Sequence, residues 1–297
     1  MGHDLTHRLQ AAFAQRPAIL DGGLGAELLS YDVDVERDML GHERCGELLS
    51  VTRPELVRQV HASFKEAGAQ FLTTNTFCAD PASLATRGLS ERSDELTRAA
   101  AAICRGVASH DVIVLGSVGP GPGKALPDAS ATRAFLECLV DAGVDGLLLE
   151  TQVDGATLER LLEQALLVRA EHGGELFIAV SLVVDSSGRL AACRELDEHE
   201  LLTRFEAAGV GLLTFNCSTG SAPLHPALAR LRGQWSTRIG VYPNAGLPNR
   251  ELDGELRYPI DPGQFATGVL ALQREFGLDL VGGCCGASPA HIRALSV

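Results

Sequence analysis

The chain has 297 residues, 45% apolar and 21% charged, enough to bury a large core and outside the range of disordered or fibrous chains. Its 25 Lys and Arg stand against 38 Asp and Glu, a formal charge of −13 with no basic run, which excludes nucleic acid and anionic membrane surfaces as partners. No run of 18 apolar residues occurs and the charged N-terminus holds no signal-peptide core, so a cytoplasmic protein with reduced cysteines is expected.

Met1-Gly2 with Thr6 matches a myristoylation pattern, without the polybasic cluster that would supply a second anchoring signal. No linker, low-complexity tract or composition shift divides the chain, so one domain over 1–297 is expected. In chain order, apolar runs predict strands starting near 18, 71, 112, 146, 177, 211, 238 and 279. Four of these follow Gly68, Gly143, Gly209 and Gly277, each read as the left-handed residue that ends a helix. Seven residues beyond those glycines stand Asn75, Glu150, Asn216 and Cys284, so four units carry a polar or ligating residue at the same strand end.

Helical patterns fill the intervals. Thr52-Arg-Pro-Glu55 reads as a capping box opening a helix over Leu56 to Ala67. The stretch 197–208 reads as a helix with Leu201, Leu202 and Phe205 on one face. In the 29–52 insertion, Asp32, Asp34, Glu36 and Asp38 read as a solvated face, and Trp235 falls between a helix and a strand, away from the strand ends. Eight alternating units are the count of a (β/α)8 barrel, whose chemistry sits at the C-terminal ends of its strands; a doubly wound open sheet is the competing arrangement.

Neither glycine-rich loop is a nucleotide site. Asp21-Gly-Gly-Leu-Gly25 lacks a third glycine at the dinucleotide spacing, and Gly119-Pro-Gly-Pro-Gly-Lys124 is followed by Ala125, so the latter reads as a Pro-stiffened surface turn. The cysteines are more specific. Cys284 and Cys285 are adjacent within Gly282-Gly-Cys-Cys-Gly286, where random placement of eight cysteines gives only about 0.2 adjacent pairs. Neighbouring side chains in a regular strand point apart, and flanking glycines allow the bend that would bring both sulfurs together. Cys217, at the end of the sixth predicted strand, is a natural third thiolate. Three thiolates suit zinc with one open position; a pair of small buried residues and a vicinal disulfide are the other readings. Cys45, Cys78, Cys104, Cys138 and Cys193 read as core.

Asp21-Gly-Gly, Thr74-Asn-Thr-Phe77, Leu149-Glu150-Thr151, Phe215-Asn-Cys-Ser218, Pro243-Asn-Ala-Gly246 and Gly282-Gly-Cys-Cys-Gly286 together resemble the homocysteine S-methyltransferase family, in order from about 18 to 295. The resemblance implies a (β/α)8 barrel with zinc held by Cys217, Cys284 and Cys285 at the C-terminal ends of the strands and the homocysteine sulfur as fourth ligand. Asn244 matches a position beside the zinc that can fill the fourth site. Asp21 and Glu150 match the acids that take the substrate ammonium, while the Gly22 backbone with Thr74 faces the carboxylate and Asn75 lies in the same substrate-binding group. A zinc-bound thiolate is deprotonated at neutral pH, and three protein thiolates leave it electron-rich enough to attack a methyl group.

For the methyl donor, Cys78 and Thr151 stand where betaine enzymes carry tyrosines, which disfavours betaine. Thr52-Arg-Pro-Glu-Leu-Val-Arg-Gln-Val-His61 and Pro243-Asn-Ala-Gly-Leu-Pro-Asn249 look most like the homocysteine module of cobalamin-dependent methionine synthase. The expected donor is therefore methylcobalamin on a corrinoid protein, with free S-methylmethionine or S-adenosylmethionine as the alternative. A non-catalytic zinc- or thiol-binding partner subunit is the reading from another class.

Overall fold

The structure, a computed structural model, describes residues 2–14, 16–123, 128–193, 197–250 and 256–296. Met1, Lys124, Ala125 and the side chain of Cys193, on which some of the readings above fall, lie outside what is described. Eight parallel strands form the centre: β1 (Ala18–Ile19), β2 (Phe71–Thr73), β3 (Ile113–Val118), β4 (Gly146–Gln152), β5 (Phe177–Val183), β6 (Leu212–Cys217), β7 (Arg238–Pro243) and β8 (Leu280–Val281). They pair in sequence order, β8 pairs β1, and a parallel bridge from Leu20 to Phe71 closes the ring. Closure rules out the open doubly wound sheet and gives the (β/α)8 barrel.

The surrounding helices include α1 (Gly2–Ala14), α2 (Pro54–Glu66), α3 (Ser93–Val107), α4 (Ala129–Asp141), α5 (Gly155–Glu171), α6 (Glu198–Ala207), α7 (Leu224–Leu231), α8 (Pro262–Phe276) and α9 (Pro289–Leu295). Gly68, Gly143, Gly209 and Gly277 all have positive φ, as the helix-ending role requires. Asp197 caps α6 by accepting from the Glu200 N–H, and Leu201, Leu202 and Phe205 are buried. Cys45, Cys104 and Cys138 are core residues, and Trp235 is buried between α7 and β7 with its indole N–H donating to the Arg238 carbonyl.

Two local expectations are corrected. Thr52 does not cap α2; its hydroxyl donates to the Asp38 carbonyl at 2.6 Å, and Arg53 occupies the cap position without a side-chain bond. The packing of the insertion outcompetes the local cap. Asp38 is not solvated like Asp32, Asp34 and Glu36: it is buried, clamped by Arg37 and Arg53 and by the Asp34 N–H, so its charge is satisfied inside the insertion.

Side chains alternate across each strand. Ile19, Leu72, Val114, Leu147, Ile178, Leu213, Ile239 and Val281 belong to the main apolar core, while Ala18, Leu20, Phe71, Ile113, Leu115, Leu148, Phe177, Ala179, Leu212, Tyr242 and Leu280 form a second cluster that fills the barrel interior. Following the interior parity to the C-terminal strand ends gives Thr73, Ser117, Glu150, Ser181 and Asn216. The interior is thus apolar below and polar at the top. Its lower end is plugged by α1, where Phe13 stacks with its ring centroid 5.1 Å from that of Phe71.

Candidate active site

Above the polar layer lies a cavity of about 290 Å³, lined among others by Asp21, Thr74, Glu150, Cys217, Cys284 and Cys285. That is near the lower end of ligand-site volumes, roughly 300–1,000 Å³. Gly22 and Asn75 also line it. The structure therefore brings eight of the nine sequence-selected site residues to one cavity. The ninth, Asn244, stands beside it: its N–H donates to the Cys217 carbonyl at 3.0 Å.

The three sulfurs converge. Cys217 Sγ is 3.5 Å from Cys284 Sγ, which is 4.0 Å from Cys285 Sγ, and the described cysteines are free thiols. Tetrahedral ligands at Zn–S distances of about 2.3 Å stand about 3.8 Å apart, within the span of those two separations. Among the described residues no group of three or more His, Cys, Asp or Glu side chains already stands in metal-holding geometry; the two sulfur separations and the chemistry of the donors are what suit zinc. Asn244 Oδ1 is buried with no hydrogen-bond partner, an orphan acceptor on the loop bonded to both cysteine segments. Hydrogen bonds from Cys217 and Cys284 favour the Cys285 thiolate, while Cys284 is pushed up by donating to its two neighbours.

The glycines around the pair act differently from the expected bend. Gly282 and Gly283 keep negative φ and serve close packing, whereas Gly286 takes φ +78°. Across the site, a Cβ on Gly23 would stand 2.5 Å from the Cys284 carbonyl oxygen, so the turn after Asp21 must be bare for the cysteine loop to approach.

Asp21 is buried, its carboxylate accepting from the Thr73 N–H at 2.7 Å and from the Thr73 hydroxyl. Burial raises its pKa against those bonds, and the nearby Glu150 adds to the rise. Glu150 accepts from the Ser117 hydroxyl at 2.6 Å, and burial carries its pKa to about 7. Tyr242 Oη approaches Glu150 and Ser181 without completing a hydrogen bond to either. These acids hold few donors for groups so far removed from water, which is why desolvation outweighs their hydrogen bonds. Thr74 differs. Its hydroxyl meets Thr76 at 2.6 Å and accepts from the Ser117 N–H, and Asn75 donates to the Gly46 carbonyl and the Ser50 hydroxyl.

Cys78 is a cavity wall, not core: its N–H donates to the buried Glu47 carboxylate, which fixes it beside the mouth. The interior polar residues Ser117, Ser181 and Tyr242 were not selected from sequence; counting back in twos from the strand ends would have found them. No sequence signal marks the backbone strain. Thr151, Cys217 and Ser218 have φ of 57°, 56° and 59°, and β4 bulges between Leu149 and Gln152. Non-glycine residues in this region cost about 1–3 kcal/mol each and cluster at functional sites.

Comparison with known proteins agrees with this geometry. The methionine synthase of Mycobacterium tuberculosis is 33% identical over 95% of this chain and 24% of its own length, and that of Mycobacterium leprae is 31% identical over 99% and 25%. The chain spans about a quarter of those proteins. The homocysteine methyltransferase MmuM from Escherichia coli, in its metallated form, superposes with a TM-score of 0.76 at 25% identity, covering 97% of this chain and 98% of that one. The carboxyl transferase domain of Rhizobium etli pyruvate carboxylase, 14% identical with a TM-score of 0.56, shares the fold alone. The model of homocysteine S-methyltransferases matches residues 18–297, a span that begins at β1 and takes in all three sulfurs and both cavity acids, and the chain belongs to that family.

Proposed function

We propose that this chain, a single domain over 1–297, is a zinc-dependent S-methyltransferase of the cytoplasm that methylates homocysteine to methionine. The observation that carries this reading is the convergence of the Cys217, Cys284 and Cys285 sulfurs in a cavity that is also lined by two under-bonded acids, buried Asp21 and half-buried Glu150. Cys217, Cys284 and Cys285 would hold the metal, with Asn244 Oδ1 at hand for a fourth position. Zinc, when bound, supplies the charge that keeps a coordinated thiol deprotonated at neutral pH.

The chain's own residues select and aim the substrate. Glu150 and Asp21 take the ammonium, whose arrival restores Glu150 to its ionised form, and the Gly22 backbone with the Thr74 wall faces the carboxylate. Anchored at both charged ends, the amino acid presents its sulfur toward the cysteines, and the aligned sulfur takes the methyl group as its donor leaves. The experiment is metal content with turnover: zinc-loaded protein forms methionine from homocysteine and a methyl donor, and the Cys217→Ala protein does neither. Unchanged zinc stoichiometry in that variant would overturn the ligand set.

For the donor, the rim is informative. Leu29, Leu40, Val153 and Leu247 are exposed large apolar residues on loops at the C-terminal ends of β1, β4 and β7. An apolar rim suits a large planar donor carried by a partner, and Phe77 with Cys78 gives little of the aromatic cage a small cation needs. Methylcobalamin on a corrinoid protein is the donor this favours. Methylcobalamin, S-methylmethionine, S-adenosylmethionine and betaine supplied separately test it; fast turnover with S-methylmethionine and none with methylcobalamin would reverse the choice.

A further inference from the structure

We infer that Asn216 is the positioning residue of the cysteine trio, an amide whose carbonyl is aimed by Ser181 and whose NH2 group gives one hydrogen to Thr151 Oγ1 and shares the other between the Cys217 and Cys284 sulfurs. The inference rests on the zinc-thiolate reading above. Asn216 is fully buried at the top of the barrel interior. Its Oδ1 accepts from the Ser181 hydroxyl at 2.9 Å, while Nδ2 lies 2.7 Å from Thr151 Oγ1, 3.5 Å from Cys217 Sγ and 3.8 Å from Cys284 Sγ.

The chemistry fixes which way the amide faces. A thiolate only accepts hydrogen bonds, so the side turned to the sulfurs must be the NH2 group and the carbonyl must meet a donor. Ser181, buried on β5 beside Asn216, is that donor. Thr151 holds the other flank, and its hydroxyl reaches both Asn216 Nδ2 and, at 3.9 Å, Cys217 Sγ from a backbone in the left-handed region. Such a conformation persists only where its surroundings over-determine it. Three thiolates on a divalent ion carry a net negative charge, and an aimed N–H offsets part of it while holding two of the sulfurs in place.

The test is the isosteric Asn216→Asp, which turns a donor into an acceptor at unchanged volume, alongside Ser181→Ala, which removes the aiming bond. Zinc affinity is read by chelator competition, and the sulfur-to-cobalt charge-transfer band is read on the cobalt-substituted protein. Asn216→Asp should weaken zinc roughly 10- to 100-fold and shift the band, and Ser181→Ala should move both in the same direction by less. Wild-type zinc affinity and an unshifted band in both variants would overturn the role, as would a loss of thermal stability without a band shift. Should Asn216→Asp fail to fold, the band and affinity of Ser181→Ala decide alone. A wild-type protein that binds no zinc would overturn the zinc reading itself, which separates the two failures.

Discussion

At the N-terminal end of the barrel, Asp145 accepts from Arg8 twice, from Arg105 and from the Val114 N–H, and Asp279 pairs with Arg16 and accepts from the Ile239 N–H. Phe13 of α1 closes the interior there, with the Arg238 guanidinium 4.5 Å from its ring centre. At the C-terminal end, buried Asp21 and half-buried Glu150 have a single protein partner residue each for their carboxylates, while Gln152 Oε1, Tyr242 Oη and Asn244 Oδ1 have none. The difference is one of assignment: carboxylates at the lower end are spent on the fold, and those at the upper end are held in reserve at a cost in stability.

The largest effect should come from the upper end. Cys217→Ala is expected to weaken zinc binding more than the roughly 100-fold of an outer-sphere change and to abolish turnover, while the unfolding temperature of the metal-free protein stays close to wild type. Calorimetry of metal-free protein checks the second half; a collapse of the fold would mean that the site is structural. Asp145→Ala is the mirror experiment. It leaves Arg8 and Arg105 facing a half-buried vacancy and should cost about 1–3 kcal/mol in urea unfolding, with kcat/KM unchanged where the protein is folded.

Glu150→Gln tests the reserve directly, because it should move function and stability in opposite directions. Losing a charged hydrogen bond to the ammonium should lower kcat/KM by about 1.5–3 kcal/mol, on the order of 10- to 100-fold. The Glu150 pKa is raised in the fold to about 7, so its contribution to stability is present below its unfolded value near 4.5 and is lost as pH rises through 7. At pH 8 the neutral variant should be more stable than wild type by about 2 kcal/mol, allowing for partial exposure. The same titration predicts that wild-type kcat/KM climbs as pH rises through about 7, and equal stability at pH 8 would remove the contrast between the ends.

Legibility in the sequence follows the same division. The strands begin within a residue of the expected positions because glycine-ended helices and apolar runs are local signals, and Asn75, Glu150, Asn216 and Cys284 fall at strand ends for that reason. The cysteine trio was legible because adjacent cysteines are rare. What sequence hid depends on packing between distant segments. Asp38 is buried only because Arg53 folds back onto it, Thr52 gives up its cap to bind the Asp38 carbonyl, and Cys78 faces the cavity because Glu47 fixes its backbone. The left-handed turns at Thr151 and Cys217 contradict the preferences of their own residue types, so only the closed site accounts for them.

Orphaned groups also lie at neither end, Thr97 Oγ1 on α3 and His61 on α2 among them, and the histidine can break the rule that unsatisfied burial marks the site. His61 on α2 is fully buried, with neither ring nitrogen hydrogen-bonded, and burial lowers its pKa to about 4. A histidine held neutral in this way binds fewer protons folded than unfolded. Stability is therefore whole above about pH 6.5 and declines as pH falls toward 4, with about 1.4 kcal/mol gone at pH 5.5. The raised acids Asp21 and Glu150 act in the opposite sense, so wild type alone does not isolate the term. His61→Leu does: the difference between its urea-unfolding free energy and that of wild type should widen in its favour by about 1.4 kcal/mol between pH 7.5 and 5.5, with kcat/KM unmoved. A variant that kept the wild-type pH dependence would sink the assignment. One that flattened it but lost activity would show that α2 reports to the site, and that orphaned groups serve function beyond the barrel mouth.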